Sequence, residues 1–417
     1  MSEAEHKRLK ILLGCYACNP NYGSEPGTGW KFVTSIAKHH DIHVIAEEEV
    51  GKDDILRYQK EHPEELKNVT FHFIRRRRFR WLRKIWPPSY YWTYRCWQKK
   101  AYKLAMELDK AESFDLVHQI TLVGYREPGY LWKLGKPFIW GPLGGFTQTA
   151  MCVLSGLGLY NKLYFGMRNL MNAWQMRFSY AARKVAPRAH TIFVSDPQVK
   201  EKIHHLWHRE PLILREVGTN NAALPEDKLS THTPGTPLRI CWSGNLIPLK
   251  ALDFLIVALA RCNQPMILEV IGRGNKLKDW ENLAEKHGVR DKINFHGYID
   301  HNEVGNLMAS CHVFCMTSIK EGGTPTVILE ALESGLPIIA LNHCAFASVV
   351  NESCGYKVDL QNRNQIIDDI AHYLDKLAID ESLRKQLAIG SLKRSHDFTW
   401  ESKLEILNKV YSSATTH

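Results

Sequence analysis

Short apolar runs, glycine-containing loops and helix-like stretches alternate along this chain, and the series occurs twice. The first series includes the strand-like runs ILLGCYA and DIHVIAE, and the second begins at LRICWSG after a polar, proline-rich stretch. Short apolar runs that alternate with helical patterns are typical of parallel sheets whose strands are connected by helices. The pattern predicts an α/β protein made of two doubly wound, Rossmann-like domains that face a central cleft.

The domain boundaries follow from this repetition. The chain has 417 residues, more than a single core usually holds. The stretch ALPEDKLSTHTPGTP interrupts the first series, and the chain closes on an amphipathic helix, WESKLEILNKVY. We therefore expect a first domain over residues 1–222, a linker over 223–237, a second domain over 238–396, and a final segment, 397–417, that packs back on the first domain.

Composition indicates where the protein works. The 10 cysteines are scattered through apolar segments, which is typical of a reducing compartment. No apolar run reaches the roughly 20 residues of a membrane-spanning helix, and the charged N-terminus does not resemble a signal peptide. The net charge is +10, divided as +13 over residues 1–225 and −3 over residues 226–417. These features predict a cytoplasmic protein whose first domain faces an anionic partner.

Two long segments of the first domain contain neither Asp nor Glu. Residues 66–106 include RRRRFRWLRKIWPPSYYWTYRCWQKK, and residues 128–195 include GLGLYNKLYFGMRNLMNAWQMRFSYAARK. Basic and aromatic side chains without transmembrane length favour an anionic membrane surface, here the inner face of the membrane. Nucleic acid is the alternative partner, because aromatic rings stack on bases and Arg binds phosphate. We expect the membrane and no nucleic acid.

The run SIKEGGTPTVILEALESGLP, residues 318–337, carries the most specific chemistry. Its loop delivers Glu321, and the helix that follows presents Glu330. A helix N-terminus offers free N–H groups to a phosphate, while carboxylates accept hydrogen bonds from sugar hydroxyls. The combination favours a nucleotide-sugar, although a surface helix with two solvated acids would give the same pattern.

Three further motifs lie where strands are predicted to end. The loop GSEPGTGW follows the first strand, and its glycines allow a close approach of backbone to a ligand. His118 ends the run FDLVH and could act as a base, although a lone His is more often structural. Lys250 ends WSGNLIPLK, where an ammonium suits a diphosphate; a solvated first-turn lysine is the alternative.

The order of these motifs, with GPLGG, VIGRG and FHGYI between them, resembles the retaining GT-B glycosyltransferases of group 1. The N-terminal loop is similar to that of a subgroup associated with exopolysaccharide assembly. The resemblance implies transfer of a sugar from a nucleotide-sugar to a lipid-linked or polysaccharide acceptor in cell-surface glycan biosynthesis, including lipopolysaccharide. It implies retention of anomeric configuration and a reaction without metal or cofactor.

The resemblance also implies roles by position. Lys250 would stabilise the leaving diphosphate, Glu321 would hold the donor sugar, and His118 would lie at the reacting sugar. The remaining donor-binding positions would be Gly244, Asn245, Arg273, Gly297, Tyr298, Ile299, Gly322, Gly323, Thr324 and Glu330, with Glu330 on the ribose and 297–299 at the nucleobase. The acceptor-binding positions would be Gly23, Ser24, Glu25, Gly27, Gly144 and Gly145.

Two positions depart from the family pattern. Asn245 stands where the family usually has Arg, and Arg273 is the candidate to replace that cation. Glu321 lies one residue early, because an additional glycine separates it from Glu330. These departures favour one alternative, a basic nucleic-acid-binding or scaffold protein without catalysis. A nucleotide-sugar epimerase of the same fold is the second alternative.

Overall fold

The computed structural model describes residues 8–77, 85–86, 89–122, 124–156, 158–219 and 223–416. The chain divides into two compact units, which differ from the expected domains at residues 147–172, 217–219 and 397–399. The first unit contains Met1–Phe146, Ala173–Glu216 and Trp400–His417, and the second contains Thr147–Asn172 and Val217–Thr399. Residues 147–172 were expected in the first domain, but Val153, Leu154 and Phe165 join the apolar core of the second unit.

A seven-stranded parallel sheet forms the centre of the first unit, in the order β3-β2-β1-β4-β5-β6-β7. Its inner strands are buried because helices cover both faces, and this explains their continuous apolar runs. The strands are β1 (Lys10–Cys15), β2 (Asp41–Glu47), β3 (Val69–Ile74), β4 (Leu116–Thr121), β5 (Phe138–Leu143), β6 (Thr191–Val194) and β7 (Leu212–Ile213).

Helices connect these strands, and the last helix of the chain packs on α1 and β4 within the first unit. The helices are α1 (Ser24–Ile36), α2 (Glu48–Glu61), α3 (Ser89–Glu112), α4 (Gly158–Phe178), α5 (Tyr180–Val185), α6 (Pro197–Trp207) and α13 (Trp400–Thr415). The boundary between the two units falls inside α4, between residues 172 and 173.

The second unit is built on a six-stranded parallel sheet in the order β10-β9-β8-β11-β12-β13. The strands are β8 (Leu238–Ser243), β9 (Met266–Ile271), β10 (Ile293–Gly297), β11 (Val313–Met316), β12 (Ile338–Leu341) and β13 (Gly355–Val358). The helices are α7 (Leu252–Leu259), α8 (Leu277–Lys286), α9 (His301–Ala309), α10 (Thr326–Glu333), α11 (Arg363–Ile379) and α12 (Glu381–Ser395).

Both sheets have the strand order of a doubly wound fold, so the prediction of two Rossmann-like parallel α/β domains is confirmed. In each sheet the direction of winding reverses beside the first strand, between β1 and β4 and between β8 and β11. At such a point the loops after neighbouring strands diverge to opposite faces and leave room for a ligand. β7 and β13 were not anticipated; β7 has only two residues.

The basic and aromatic segment over residues 66–106 is partly internal, whereas Ile85, Trp86, Tyr91 and Trp92 are exposed. The expectation that it faces a membrane stays a prediction. Arg76 is buried, and its guanidinium donates to the Tyr16 hydroxyl at 2.8 Å and to the Tyr90 carbonyl at 2.7 Å. Tyr94 and Trp97 belong to the apolar core. The rest of the arginine-rich run, residues 78–84, lies outside the described residues, as do residues 87–88.

Across the part of the chain that the structure describes, no helix combines the length and apolarity needed to cross a membrane.

Candidate functional site

The loops that follow β8, β9 and β10 pack edge to edge and are joined by backbone hydrogen bonds. The Gly244 N–H donates to the Ile271 carbonyl at 2.9 Å, and the Leu246 N–H donates to Arg273 at 3.0 Å. The Gly272 N–H then donates to the Gly297 carbonyl at 2.8 Å. Because the strands are parallel, all three loops leave the sheet at its carboxyl edge, where they form a continuous backbone platform.

Glycines make this close packing possible. A Cβ at Gly272 would lie 1.9 Å from the Gly244 carbonyl oxygen, and Gly272 has a φ of +138°. A Cβ at Gly274 would lie 2.3 Å from the Leu246 carbonyl oxygen. No side chain fits at either position, so the run VIGRG fixes the spacing of two neighbouring strand-end loops.

Lys250 and Glu321 form an ion pair at this platform. Lys250 ends a short 3-10 turn after β8, and Glu321 lies in the loop between β11 and α10. The Lys250 Nζ donates to the Glu321 Oε1 at 2.5 Å, and the two side chains are only 15% and 14% exposed. The structure thus brings together two of the three predicted catalytic residues, which lie 71 positions apart in the chain.

Backbone and side-chain contacts hold Lys250 in place. Its carbonyl accepts a hydrogen bond from the Thr317 hydroxyl at 2.8 Å, and that hydroxyl in turn accepts from the Trp242 indole at 2.9 Å. The aliphatic part of Lys250 passes beside Gly244, where a Cβ would lie 3.6 Å from Cδ. The sequence analysis did not include Thr317 and Trp242 among the site residues. Their positions at the ends of β11 and β8 could have indicated that they lie beside the strand-end loops.

The second predicted carboxylate, Glu330, lies in α10 and is half-buried. Pro325 caps this helix, and buried Thr324 precedes it. The additional glycine of the loop, Gly322, is exposed, and nothing lies within 4 Å of the position its Cβ would take. The loop therefore accommodates the extra residue at its surface, and Glu321 still reaches Lys250.

The loops after β9 and β10 present a cation and an aromatic ring. The Arg273 guanidinium lies 5.2 Å from the centre of the Tyr298 ring, which is 72% exposed. Gly297 has a φ of +70°, and Ile299 packs against the apolar core of the second unit. Asn245 is exposed on the adjoining loop. An exposed ring beside a cation offers a flat surface on which a nucleobase can stack.

In the first unit, the loop after β1 leads directly into α1 and meets the end of β4. The Leu122 N–H donates to the Glu25 carboxylate at 2.6 Å, and Gly23 caps the helix. Enclosure of the carboxyl group raises the pKa of Glu25, and the negative charge of Glu216 adds to the effect. Ser24 has a left-handed φ of 57°, which residues other than glycine seldom adopt.

The remaining first-unit candidates are glycines with structural constraints. A Cβ at Gly27 would lie 2.3 Å from the Tyr22 carbonyl oxygen. Gly144 pairs with Gly124 beside the end of β5, and Gly145 has a φ of +90°. These residues lie near the carboxyl edge of the first sheet, where the loops after β1, β4 and β5 meet. Their predicted role in acceptor binding stays a prediction.

His118 lies inside β4 and not at its end, which corrects the sequence prediction. The strand continues to Thr121, and the imidazole is fully buried. Its Nε2 lies 2.8 Å from the Gly141 carbonyl, and its Nδ1 lies 2.7 Å from the Tyr411 hydroxyl. Because a carbonyl only accepts, Nε2 carries the proton and Nδ1 accepts from Tyr411. Burial lowers the pKa of His118 to about 4, so the ring is neutral and engaged within the fold.

Among the described residues, no group of His, Cys, Asp and Glu side chains has the arrangement of a metal site. The second-unit platform combines an ammonium, a carboxylate, a guanidinium and an aromatic ring, and Glu330 lies in the helix that follows Glu321. An anionic ligand with hydroxyl groups and a flat ring matches each of these features.

Residues 225–394 match the family described as Glycosyl transferases group 1. An uncharacterised glycosyltransferase of Haemophilus influenzae is 28% identical over 194 residues, which cover 45% of this chain and 52% of that protein. The lipopolysaccharide glucosyltransferase WaaG of Escherichia coli is 32% identical over 149 residues, which cover 34% of this chain and 36% of WaaG. The chain thus spans about half the length, or less, of these curated relatives.

Among solved structures, Anabaena HepE in complex with UDP and glucose is similar with a TM-score of 0.59. The alignment covers 97% of this chain and 100% of HepE, at 14% sequence identity. At this identity the likeness establishes the fold alone.

Proposed function

We propose that this chain, which has the GT-B fold and whose residues 225–394 belong to the group 1 glycosyltransferases, transfers a sugar from a nucleotide-sugar. The acceptor would be a lipid-linked or polysaccharide glycan of the cell surface. The observation that carries the proposal is the Lys250–Glu321 ion pair at the carboxyl ends of β8 and β11, beside the start of α10.

Lys250 is placed to stabilise the leaving group. When the bond between the anomeric carbon and the diphosphate oxygen breaks, negative charge grows on the diphosphate. An ammonium held in a largely water-excluded position, together with the N–H groups at the start of α10, stabilises that charge more strongly than solvent does. This role requires no resident metal ion.

Glu321 neutralises Lys250 while the donor site is empty. A diphosphate competes with this carboxylate for the ammonium, so donor binding frees Glu321 to accept hydrogen bonds from sugar hydroxyls. Glu330, in α10, is proposed to bind the ribose hydroxyls, and the exposed Tyr298 ring is proposed to stack on the base. The two departures from the family pattern are then compatible with activity, since Arg273 supplies a cation and Glu321 reaches the site.

Acceptor binding is assigned to the first-unit loops that contain Gly23–Gly27 and Gly144–Gly145. The transfer is proposed to retain anomeric configuration, with the departing diphosphate accepting the proton of the acceptor hydroxyl. His118 takes no part in this scheme, because both of its ring nitrogens are engaged inside β4.

Thermal-shift titration of the full chain with UDP-, GDP- and ADP-sugars tests the donor assignment. One nucleotide class should raise the melting temperature in proportion to the logarithm of its concentration. Lys250→Ala should reduce that shift. Lys286→Ala, which removes an exposed lysine from the last position of α8, should leave the shift unchanged. The absence of a shift with every nucleotide-sugar would contradict the proposal.

Product analysis separates transfer from the epimerase alternative. An epimerase converts the donor without any glycan acceptor, whereas a transferase consumes the donor in proportion to the acceptor. Lys250→Ala and Glu330→Ala should each lower transfer at least roughly tenfold, or about 1.4 kcal/mol in the activation free energy. Equal turnover of both variants and the unmodified chain would contradict the assigned roles.

A further inference from the structure

Helix α4, Gly158–Phe178, carries a continuous apolar face that the described part of the protein leaves in contact with solvent. Large apolar side chains are usually covered, and a helix that exposes a row of them marks an interaction surface. Six of these side chains have exposed fractions between 52% and 79%: Tyr160, Leu163, Met167, Leu170, Trp174 and Phe178. We call this set the outer face of α4.

The outer face lies opposite the face that the protein itself buries. Among the side chains of α4 that the structure describes, Phe165, Asn172 and Met176 are buried. An α-helix turns by about 100° per residue, so the outer-face residues lie about half a turn away from them. The buried face accounts for how α4 is held in the fold, and the outer face has no part in that packing. The described residues leave this face uncovered, which marks it as an interaction surface for a partner.

The charges around the outer face indicate what that partner is. Residues 128–195 contain neither Asp nor Glu. Lys162, Arg168 and Arg177 are exposed on α4, and Arg183 and Lys184 are exposed just beyond it. A second copy of the same helix would bring these cations together without compensating carboxylates. An anionic surface would neutralise them instead, so charge complementarity favours an acidic partner over self-association.

The types of aromatic residue narrow the partner further. Tyr160, Trp174 and Tyr180 have an apolar ring and a polar group, which suits the boundary between lipid headgroups and acyl chains. The 21 residues of α4 extend roughly 32 Å, long enough to lie along a bilayer surface over its whole length. Leu, Met and Phe on one face with Lys and Arg beside them are the composition of interfacial helices.

We infer that the outer face of α4 docks the protein on an anionic lipid bilayer, with the helix lying parallel to the surface. The docking element is α4; Arg76, within the arginine-rich run, is buried among tyrosines. This inference is independent of the donor chemistry, since α4 contributes no residue to the second-unit platform described above.

Vesicle flotation of the full chain tests the inference. Phosphatidylcholine vesicles that contain roughly 30% phosphatidylglycerol should carry the protein, pure phosphatidylcholine vesicles should carry far less, and salt should weaken the binding. Leu163→Glu with Met167→Glu should reduce the bound fraction roughly tenfold, because two charges enter the buried part of the interface. The melting temperature and the nucleotide-sugar thermal shift verify that this variant folds.

A matched control separates the face from the charge. Leu56→Glu with Ile379→Glu adds the same two carboxylates at exposed apolar residues of α2 and α11, and it should bind vesicles within about twofold of the unmodified chain. Equal loss in both variants would show that net charge alone drives binding, and would overturn the inference. The unmodified chain could instead form a dimer that does not bind vesicles, and the Leu163→Glu, Met167→Glu variant could be a monomer. That result would assign the outer face to a second copy of the chain and overturn the inference. Binding of RNA but not of vesicles would likewise overturn it.

Discussion

Among single residues, Lys250 and Glu321 carry the chemistry of the proposed donor site. Each neutralises the other at a mostly buried position, which removes the cost of an isolated charge there. The same pairing creates competition, because a phosphate must displace the carboxylate to reach the ammonium. Glu321, which pairs with Lys250 in the empty site, is therefore expected to weaken the binding of a nucleoside diphosphate that carries no sugar.

Glu321→Gln is expected to strengthen the binding of a nucleoside diphosphate that carries no sugar. Removal of the carboxylate charge frees Lys250, and we expect a gain of about 1 kcal/mol, or roughly fivefold in Kd. Sugar transfer should fall in the same variant, because the sugar loses a charged acceptor. Calorimetric titration measures the first effect, and Glu303→Gln, an exposed carboxylate of α9, is the matched control. Weaker diphosphate binding by Glu321→Gln would contradict the competition.

His118 predicts a pH dependence of stability. Its folded-state pKa, about 4, lies below the usual 6.5, so the unfolded chain binds a proton that the folded chain does not. The stability from neutral His118 is complete above about pH 6.5 and is lost progressively as the pH falls towards 4, by about 3 kcal/mol.

Denaturant unfolding at pH 7 and pH 5 measures this loss. His118→Gln should be less stable than the unmodified chain at pH 7 but should lose less stability between the two pH values. His205→Gln, an exposed histidine of α6, should leave the pH dependence unchanged. Identical pH profiles for His118→Gln and the unmodified chain would show that His118 is not the group responsible.

Among the structural elements, the loops after β8 and β9 keep their conformation because their backbones pack in direct contact. Gly272→Ala should destabilise the protein by about 2–4 kcal/mol, because its Cβ would collide with the Gly244 carbonyl at an unfavourable φ. Gly305→Ala, in α9 with nothing within 4 Å of its Cβ, should be neutral or stabilising by up to about 1 kcal/mol. Thermal unfolding of the two variants compares them directly; equal melting temperatures would contradict the packing argument.

The strands and helices were largely predictable from sequence, because buried parallel strands and amphipathic helices leave periodic apolar patterns. β4 shows the limit: the strand continues through Thr121, and the run FDLVH alone does not reveal where it ends. The sequence also could not show that Arg76 folds inward, since its partners Tyr16 and Thr93 are distant in the chain. The outer face of α4 required structure, because only burial distinguishes its two apolar faces.

For the whole molecule, the alternation of strand-like and helix-like runs was sufficient to predict the doubly wound sheets. The structure brings Lys250 and Glu321 together, and their role in a donor site stays a prediction. Lys250 and Glu321 were chosen separately, from a loop after β8 and a loop after β11. Parallel strand order brings both loops to one edge of the sheet. The unit boundaries were less predictable, because residues 147–172 contribute to the core of the second unit through contacts distant in sequence.

The central claim is that Lys250 recognises the diphosphate of a nucleotide-sugar. Calorimetric titration with the nucleoside diphosphate and the nucleoside monophosphate of the preferred base, on the unmodified chain and on Lys250→Ala, tests it most directly. We expect the variant to lose at least tenfold in affinity for the diphosphate, about 1.4 kcal/mol, and much less for the monophosphate. Equal losses for both ligands, or no loss for the diphosphate, would contradict the account.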